Sequence, residues 1–280
     1  MDTLIIGCGY LGRRIADLLL TRGDKLYALT RSTHRANAMQ ADRINPIVGD
    51  IMVPDSLELP RVDRVIYAVG FDRTAGFSKR DVYVTGLANV LGKLSQNTPV
   101  TYVSSTSVYG QSNGEWIDED SSTEPKSDGG KVCLEAEQLL KRERSGASIV
   151  RLAGIYGPGR VLRNVRSMQA GEALPGNPGS FLNLIHVDDA SQLVLASIES
   201  GESMILGCDG QPSTRQAFYS QLAALVDAPE PKFDPDLPTR SAAGGIGKRC
   251  RSRIVPTLDE LSFRYPTFVE GLKHAVEAQR

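Results

Sequence analysis

The chain is poor in the residues that build disulfides and metal centres. Its four cysteines, Cys8, Cys133, Cys208 and Cys250, are far apart and include no Cys-x-x-Cys pair. This spacing excludes a disulfide framework and a thiolate zinc site, and it suits a reducing cytoplasm. The three histidines, His34, His186 and His274, are equally scattered, so no metal site is expected. No apolar run approaches the roughly 18 residues of a membrane span. The opening MDTLIIGCGYLG is too short for a signal peptide and carries an acid at position 2. A formal net charge of −1 leaves no basic footprint for nucleic acid and no polybasic patch for a membrane surface. Internal repeats and low-complexity tracts are also missing. These absences leave a cytoplasmic globular protein with a small-molecule ligand.

What is present is an alternation of strands and helices. Thr3–Ile6 is a short apolar run ending at glycine, and Leu11, Ile15, Leu18 and Leu19 then recur at helical spacing until Gly23. Further strands are read at Lys25–Thr30, Pro46–Val48, Arg64–Val69, Val100–Ser104 and Ala147–Leu152. Helices are expected from the fourth strand to about Leu94 and over Lys131–Arg144. This order predicts an α/β fold of the Rossmann type, with a doubly wound parallel sheet and a small C-terminal substrate-binding part. The sheet domain is expected over 1–155, continued by about 184–210, with 156–183 and 211–280 forming the smaller part. Glycines and prolines crowd 154–179, and Pro229, Pro231, Pro235 and Pro238 mark a loop. The spacing also predicts helices over Asp188–Glu199 and Leu272–Ala278 and a strand at Ser203–Leu206.

The first strand runs directly into Gly7-Cys8-Gly9-Tyr10-Leu11-Gly12, and a helix follows. In that context GxGxxG predicts a dinucleotide site. Gly7 permits the turn, Gly9 admits a pyrophosphate, Gly12 lets helix and strand pack, and the helix N-terminus favours the phosphates. An acid ending the second strand would select NAD, but Thr30-Arg31-Ser32 stands there. Arg31 is suited to a ribose 2′-phosphate, helped by Thr30 or Ser32, so NADP is expected, with NAD the alternative. Asp50 and Ile51 after the third strand are placed for the adenine, and Ala68 and Val69, which end the fourth strand, are expected to bind the cofactor.

Several segments together resemble the extended and atypical short-chain dehydrogenase/reductases, the NAD-dependent epimerase/dehydratase group. They are GCGYLG (7–12), GDI (49–51), VTGLANVL (84–91), YVSSTSVYG (102–110), RLAGIYGPGR (151–160) and IHVDDAS (185–191), in the family's order. The GxGxxG spacing departs from the GxxGxxG of many extended members and looks more like the atypical branch. The resemblance covers residues 1 to about 210 and implies an oxidoreductase, epimerase or dehydratase acting on a small carbonyl or nucleotide-sugar-like substrate.

The family's enzymes pair a Ser or Thr after the fifth strand with a Tyr-x-x-x-Lys at the start of the next helix, because hydride transfer to a carbonyl needs a matched proton transfer. Ser105 matches the first position. The second falls in KSDGGKVCLEAEQLL (126–140), which contains no tyrosine. Matching Glu137 to the family's glutamate puts Cys133 at the Lys position and Gly129 at the Tyr position. Matching Lys131 to the Lys puts Ser127 at the Tyr position. Three readings stay open: another group supplies the proton, with Tyr109, Tyr156 and Lys131 nearest by motif; the chain binds NADP without turnover as a redox-sensing or regulatory protein; or it catalyses a reaction that needs no phenolic base. Cys133 has no histidine near it in sequence to activate it as a nucleophile. The resemblance also places Tyr156, Arg160 and Asn183 on the substrate side and reads His186, Asp188 and Asp189 as structural, with Asp188 capping a helix. Tyr83 stands where many members carry Asn, and the helix bearing it offers either core or a homodimer face.

Overall fold

The computed structural model describes residues 1–237, 245–258 and 261–279. Seven strands make the main sheet: β1 (Asp2–Ile6), β2 (Lys25–Thr30), β3 (Asn45–Val48), β4 (Arg64–Tyr67), β5 (Val100–Ser105), β6 (Ser148–Leu152) and β7 (Met204–Gly207). Their order is β7-β6-β5-β4-β1-β2-β3, and β1 pairs in parallel with both β2 and β4. The order reverses beside β1, which is the switch point at which doubly wound sheets leave a crevice outside the strand ends. Leu4, Ile5 and Ile6 are fully buried, as expected of a strand covered on both faces. Helix α1 (Tyr10–Thr21) buries Leu11, Ile15, Ala16 and Leu19.

The chain divides into two compact units. The first comprises 1–108, 128–151 and 191–205. Beyond α1 it contains α2 (Thr33–Ala41), α3 (Gly86–Lys93) and α4 (Asp128–Glu143). A π-helical turn, Asp81–Thr85, leads into α3. The apolar face of α3, Leu87, Val90 and Leu91, lies in this unit's core, where Tyr67 and Tyr102 also stack at 5.6 Å. Helix α4 starts three residues before the expected Lys131, so it includes Gly129 and Gly130 despite their poor helix propensity.

The second unit comprises 109–127, 152–190 and 206–280. Residues 109–127 cluster here because Asn113–Ile117 pairs with Gly247–Cys250. The helices Arg215–Leu225 and Phe268–Glu277 pack Phe218 and Leu272 with Tyr156 and Leu184 in a separate apolar core. The first of these helices is one the sequence reading passes over. Gly271 lets the last helix lie against Tyr156, since a Cβ there would sit 2.0 Å from the phenol oxygen. Gly271→Ala therefore overpacks a closed core, and melting curves should show a loss of about 1–3 kcal/mol. Among the described residues, no helix is long and apolar enough to cross a membrane.

Candidate functional site

The glycine turn follows β1. Gly7 has φ +96°, and a Cβ on it would lie 2.6 Å from backbone atoms of Ala68 and Val69. A Cβ on Gly12 would lie 2.3 Å from the Gly7 oxygen. These two glycines are shut in by backbone. Gly9 differs, because nothing lies within 4 Å of its Cβ position. Helix α1 begins at Tyr10 with no side chain capping it and no acid in its first turn. Its first amides have no intrahelical acceptor, so the positive end of the helix meets the open space at Gly9. This arrangement fits a dinucleotide pyrophosphate. Burial pushes the Cys8 thiol up to about 11, so Cys8 is a protonated packing group at neutral pH.

At the end of β2, Thr30 Oγ1 accepts the Ser32 amide at 3.2 Å, and Ser32 caps α2 by accepting the Arg35 amide. Arg31 is half exposed, with Nη2 3.4 Å from Asp72 Oδ2. An exposed pair of this kind is held by little energy and is readily exchanged for another anion. After β3, Asp50 Oδ1 accepts the Met52 amide at 2.9 Å, the turn role open to any strand-end aspartate. Ile51 is buried against Gly86, where a Cβ would lie 2.7 Å from its Cδ1, and Asn89 Nδ2 donates to its carbonyl at 2.8 Å. Gly86 and Asn89 thus hold the 49–51 turn, a role that their own segment gives no sign of.

Ser105 ends β5, and its Oγ accepts the Ser107 amide at 3.1 Å. Directly before it, Ser104 Oγ donates to Glu137 Oε1 at 2.5 Å. Arg151 grips the same carboxylate in a fork, Nε to Oε1 at 3.0 Å and Nη2 to Oε2 at 2.7 Å, with both side chains at least 95% buried. The available signal was two opposite charges at buried periodic positions of a helix and a strand. With Glu137 facing inward, Cys133 one turn earlier is buried, and Gly129 begins the same stripe. Lys131 points elsewhere: its ammonium is exposed and lies 3.5 Å from Asp128. Burial pushes the Cys133 thiol up, against the opposing effect of Lys79, so Cys133 is not an activated nucleophile.

The remaining sequence candidates belong to the second unit. Tyr109 is buried, and its carbonyl accepts Lys248 Nζ at 3.0 Å. Tyr156 is buried in the apolar core, where its hydroxyl donates to the Thr267 carbonyl at 3.3 Å. Burial raises its phenol above the ordinary value, which makes it a weaker acid. Arg160 is exposed in the turn after Gly157. Asn183 bridges the backbone of Gly247–Cys250, donating to Lys248 O at 2.8 Å and accepting the Cys250 amide at 2.6 Å.

Two of the three histidines, scattered in sequence, do converge. His186 Nε2 lies 3.3 Å from His274 Nδ1, and Asp188 joins them. The Asp188 amide donates to His186 Nδ1 at 3.2 Å. That bond leaves the proton on Nε2, so His186, at the end of the short strand Leu184–His186, donates to His274 on the helix Phe268–Glu277. The helix starts at Val187, which puts Asp188 in its first turn rather than at the cap. Asp189 is fully buried and accepts the Arg264 and Tyr265 amides at 2.8 and 3.0 Å, a structural role.

The profile of the NAD dependent epimerase/dehydratase family matches residues 3–207. The chain belongs to this family. It is 29% identical to Protein YeeZ of Escherichia coli K12 over 278 residues, covering 93% of this chain and 94% of that one. A solved structure from Methylobacillus flagellatus, provisionally assigned as an NAD-dependent epimerase/dehydratase, is 31% identical and has a TM-score of 0.77, covering 99% of this chain and 98% of that one. UDP-glucose 4-epimerase of Thermotoga maritima, solved with UDP-glucose, has the same fold at a TM-score of 0.80 and 18% identity, covering 99% and 98% of the two chains. The glycine turn, the 49–51 turn, Ser105 and α4 all fall inside the family match.

Proposed function

We propose that the chain binds NADP on the glycine turn and acts as an oxidoreductase or epimerase on a small carbonyl or nucleotide-sugar-like compound. The supporting observation is the open space over Gly9 at an uncapped helix N-terminus. The α1 amides would hold the pyrophosphate, and Arg31 would exchange Asp72 for the 2′-phosphate. When bound, the dinucleotide supplies a site that gives or takes a hydride. Ser105, its oxygen fixed by the Ser107 amide, would donate its O–H to a substrate oxygen. The family name and the UDP-glucose of the Thermotoga maritima relative favour this substrate class.

Arg31→Ala should weaken NADPH at least about tenfold, or ~1.4 kcal/mol, and NADH less than about twofold. Equal weakening would remove Arg31 from the 2′-phosphate and with it the preference for NADP. The reaction itself is tested by incubating the NADPH-loaded and NADP-loaded protein with UDP-sugars and simple aldehydes and ketones, and following cofactor absorbance and sugar chromatography. Turnover of any of them supports the enzyme. The lack of tyrosine in 126–140 supports a second reading, a redox-sensing or regulatory protein that binds NADP without turnover. Tight binding with no turnover of the whole panel would favour it.

A further inference from the structure

Gly129, the helix position in register with buried Cys133 and Glu137, is not next to empty space. A Cβ on Gly129 would lie 2.7 Å from the ammonium nitrogen of Lys79, which donates to the Gly129 carbonyl at 3.3 Å. Lys79 comes from another element, the helical segment that enters the π-helical turn Asp81–Thr85. Such turns insert one extra residue and re-aim side chains, and they are frequent at functional sites. Next to Lys79, Arg80 forms a fork with Glu135 of α4, Nη2 to Oε1 at 2.5 Å, which anchors this segment on the helix. Tyr83 lies on the other side, with Lys79 Nζ 5.2 Å from its ring centroid. The same ammonium acts electrostatically on the Cys133 thiol, which also meets Ser107, the residue that fixes Ser105. Lys79 is half-buried, and its ammonium lies at the first turn of α4, against the Gly129 carbonyl.

We propose that Lys79 is the proton-carrying group of this site, its ammonium acting beside Ser105 in the volume that a side chain at position 129 would otherwise take. The proposal deepens the proposed function and rests on it. In the reducing direction, an N–H bond of the ammonium breaks as an O–H bond forms on the substrate oxygen. The carbonyl carbon is reduced by the hydride of that reaction, and the reduced dinucleotide is oxidised. Lys79 is left as a neutral amine and regains its proton from water. In the oxidising direction the amine takes the proton back. A positioned proton donor of this kind contributes about 10²–10⁴ in rate. Arginine would keep the charge but cannot give up its proton near neutral pH.

Two measurements on the intact protein test this. In the first, lysines are acetylated with acetic anhydride with and without NADPH, and modification at Lys79 is read by mass spectrometry. NADPH should slow labelling of Lys79 at least about fivefold, a protection that requires the dinucleotide to reach it. In the second, turnover is compared for wild type, Lys79→Met and Lys79→Arg, with melting curves to confirm folding. Both variants should lose at least about a hundredfold in turnover, while Lys79→Arg keeps NADPH affinity within about twofold. If NADPH binds but Lys79 labels equally fast, the proposal is overturned and the cofactor reading stands. Retained turnover in Lys79→Arg would reduce Lys79 to a fixed charge and overturn the proton role. Protection without turnover of any compound by wild type overturns that role too, leaving dinucleotide binding intact. If NADPH does not bind at all, the proposed function has failed and this inference falls with it.

Discussion

Glu137→Ala should lower stability by roughly 3–5 kcal/mol, a drop on the order of 10 °C in melting temperature. The substitution strips Arg151 of its carboxylate in a place where both side chains are at least 95% buried. A guanidinium left there keeps its desolvation cost and loses its compensation. Ser104 loses its acceptor at the same time. Replacing both charged residues by methionine should recover much of the loss, because an apolar pair of similar volume need not hold a charge away from water. A double-mutant cycle with Glu137→Met and Arg151→Met measures the coupling. A single variant as mild as a surface substitution would show that the pair does not hold α4 against β5 and β6.

Gly9→Val should leave the protein folded, at a backbone cost of about 1–3 kcal/mol, and still abolish dinucleotide binding. Its Cβ position has no neighbour within 4 Å, so the cost of the substitution is confined to a backbone at φ −98° and ψ −141°, outside the ordinary β region. A branched side chain there fills only the space assigned to the pyrophosphate, beside amides that no side chain caps. The expected loss of NADPH affinity is at least about a hundredfold, or ~2.7 kcal/mol. Calorimetric titration together with a melting curve checks both halves. Gly12→Val makes a contrasting control. Its Cβ would meet the Gly7 oxygen at 2.3 Å, so binding and folding should fail together. Unchanged NADPH affinity in folded Gly9→Val would mean that the ligand does not approach this backbone.

The turn from β1 into α1 was legible because its signals are local: a buried apolar run, glycines at fixed offsets, then helical spacing. The parallel sheet followed from the alternation of strand and helix patterns. Contacts between distant segments were not legible. Asn113–Ile117 pairs with residues 247–250, more than a hundred residues on, and reads by itself as a polar loop. Gly86 and Asn89 lie inside a segment that signals only a helix, yet they secure the turn at Ile51. Two spaced histidines say nothing about one another until the strand Leu184–His186 and the helix Phe268–Glu277 bring them to 3.3 Å. Tyr156 belongs to a motif that the resemblance assigns to substrate, but it ends the strand Gly154–Tyr156 and its ring lies in the second unit's core beneath Gly271. The site candidates near 126–140 were sought along the chain, where Lys131 was nearest. The cation beside Gly129 instead comes from residue 79, which belongs to no motif.

Titration of the purified wild-type protein with NADPH and, separately, with NADH tests the central claim most directly. The account predicts saturable one-to-one binding of NADPH, at least about tenfold tighter than NADH, a difference of ~1.4 kcal/mol. Binding of neither dinucleotide would contradict it, because the open glycine turn and the uncapped helix end would then hold something else or nothing.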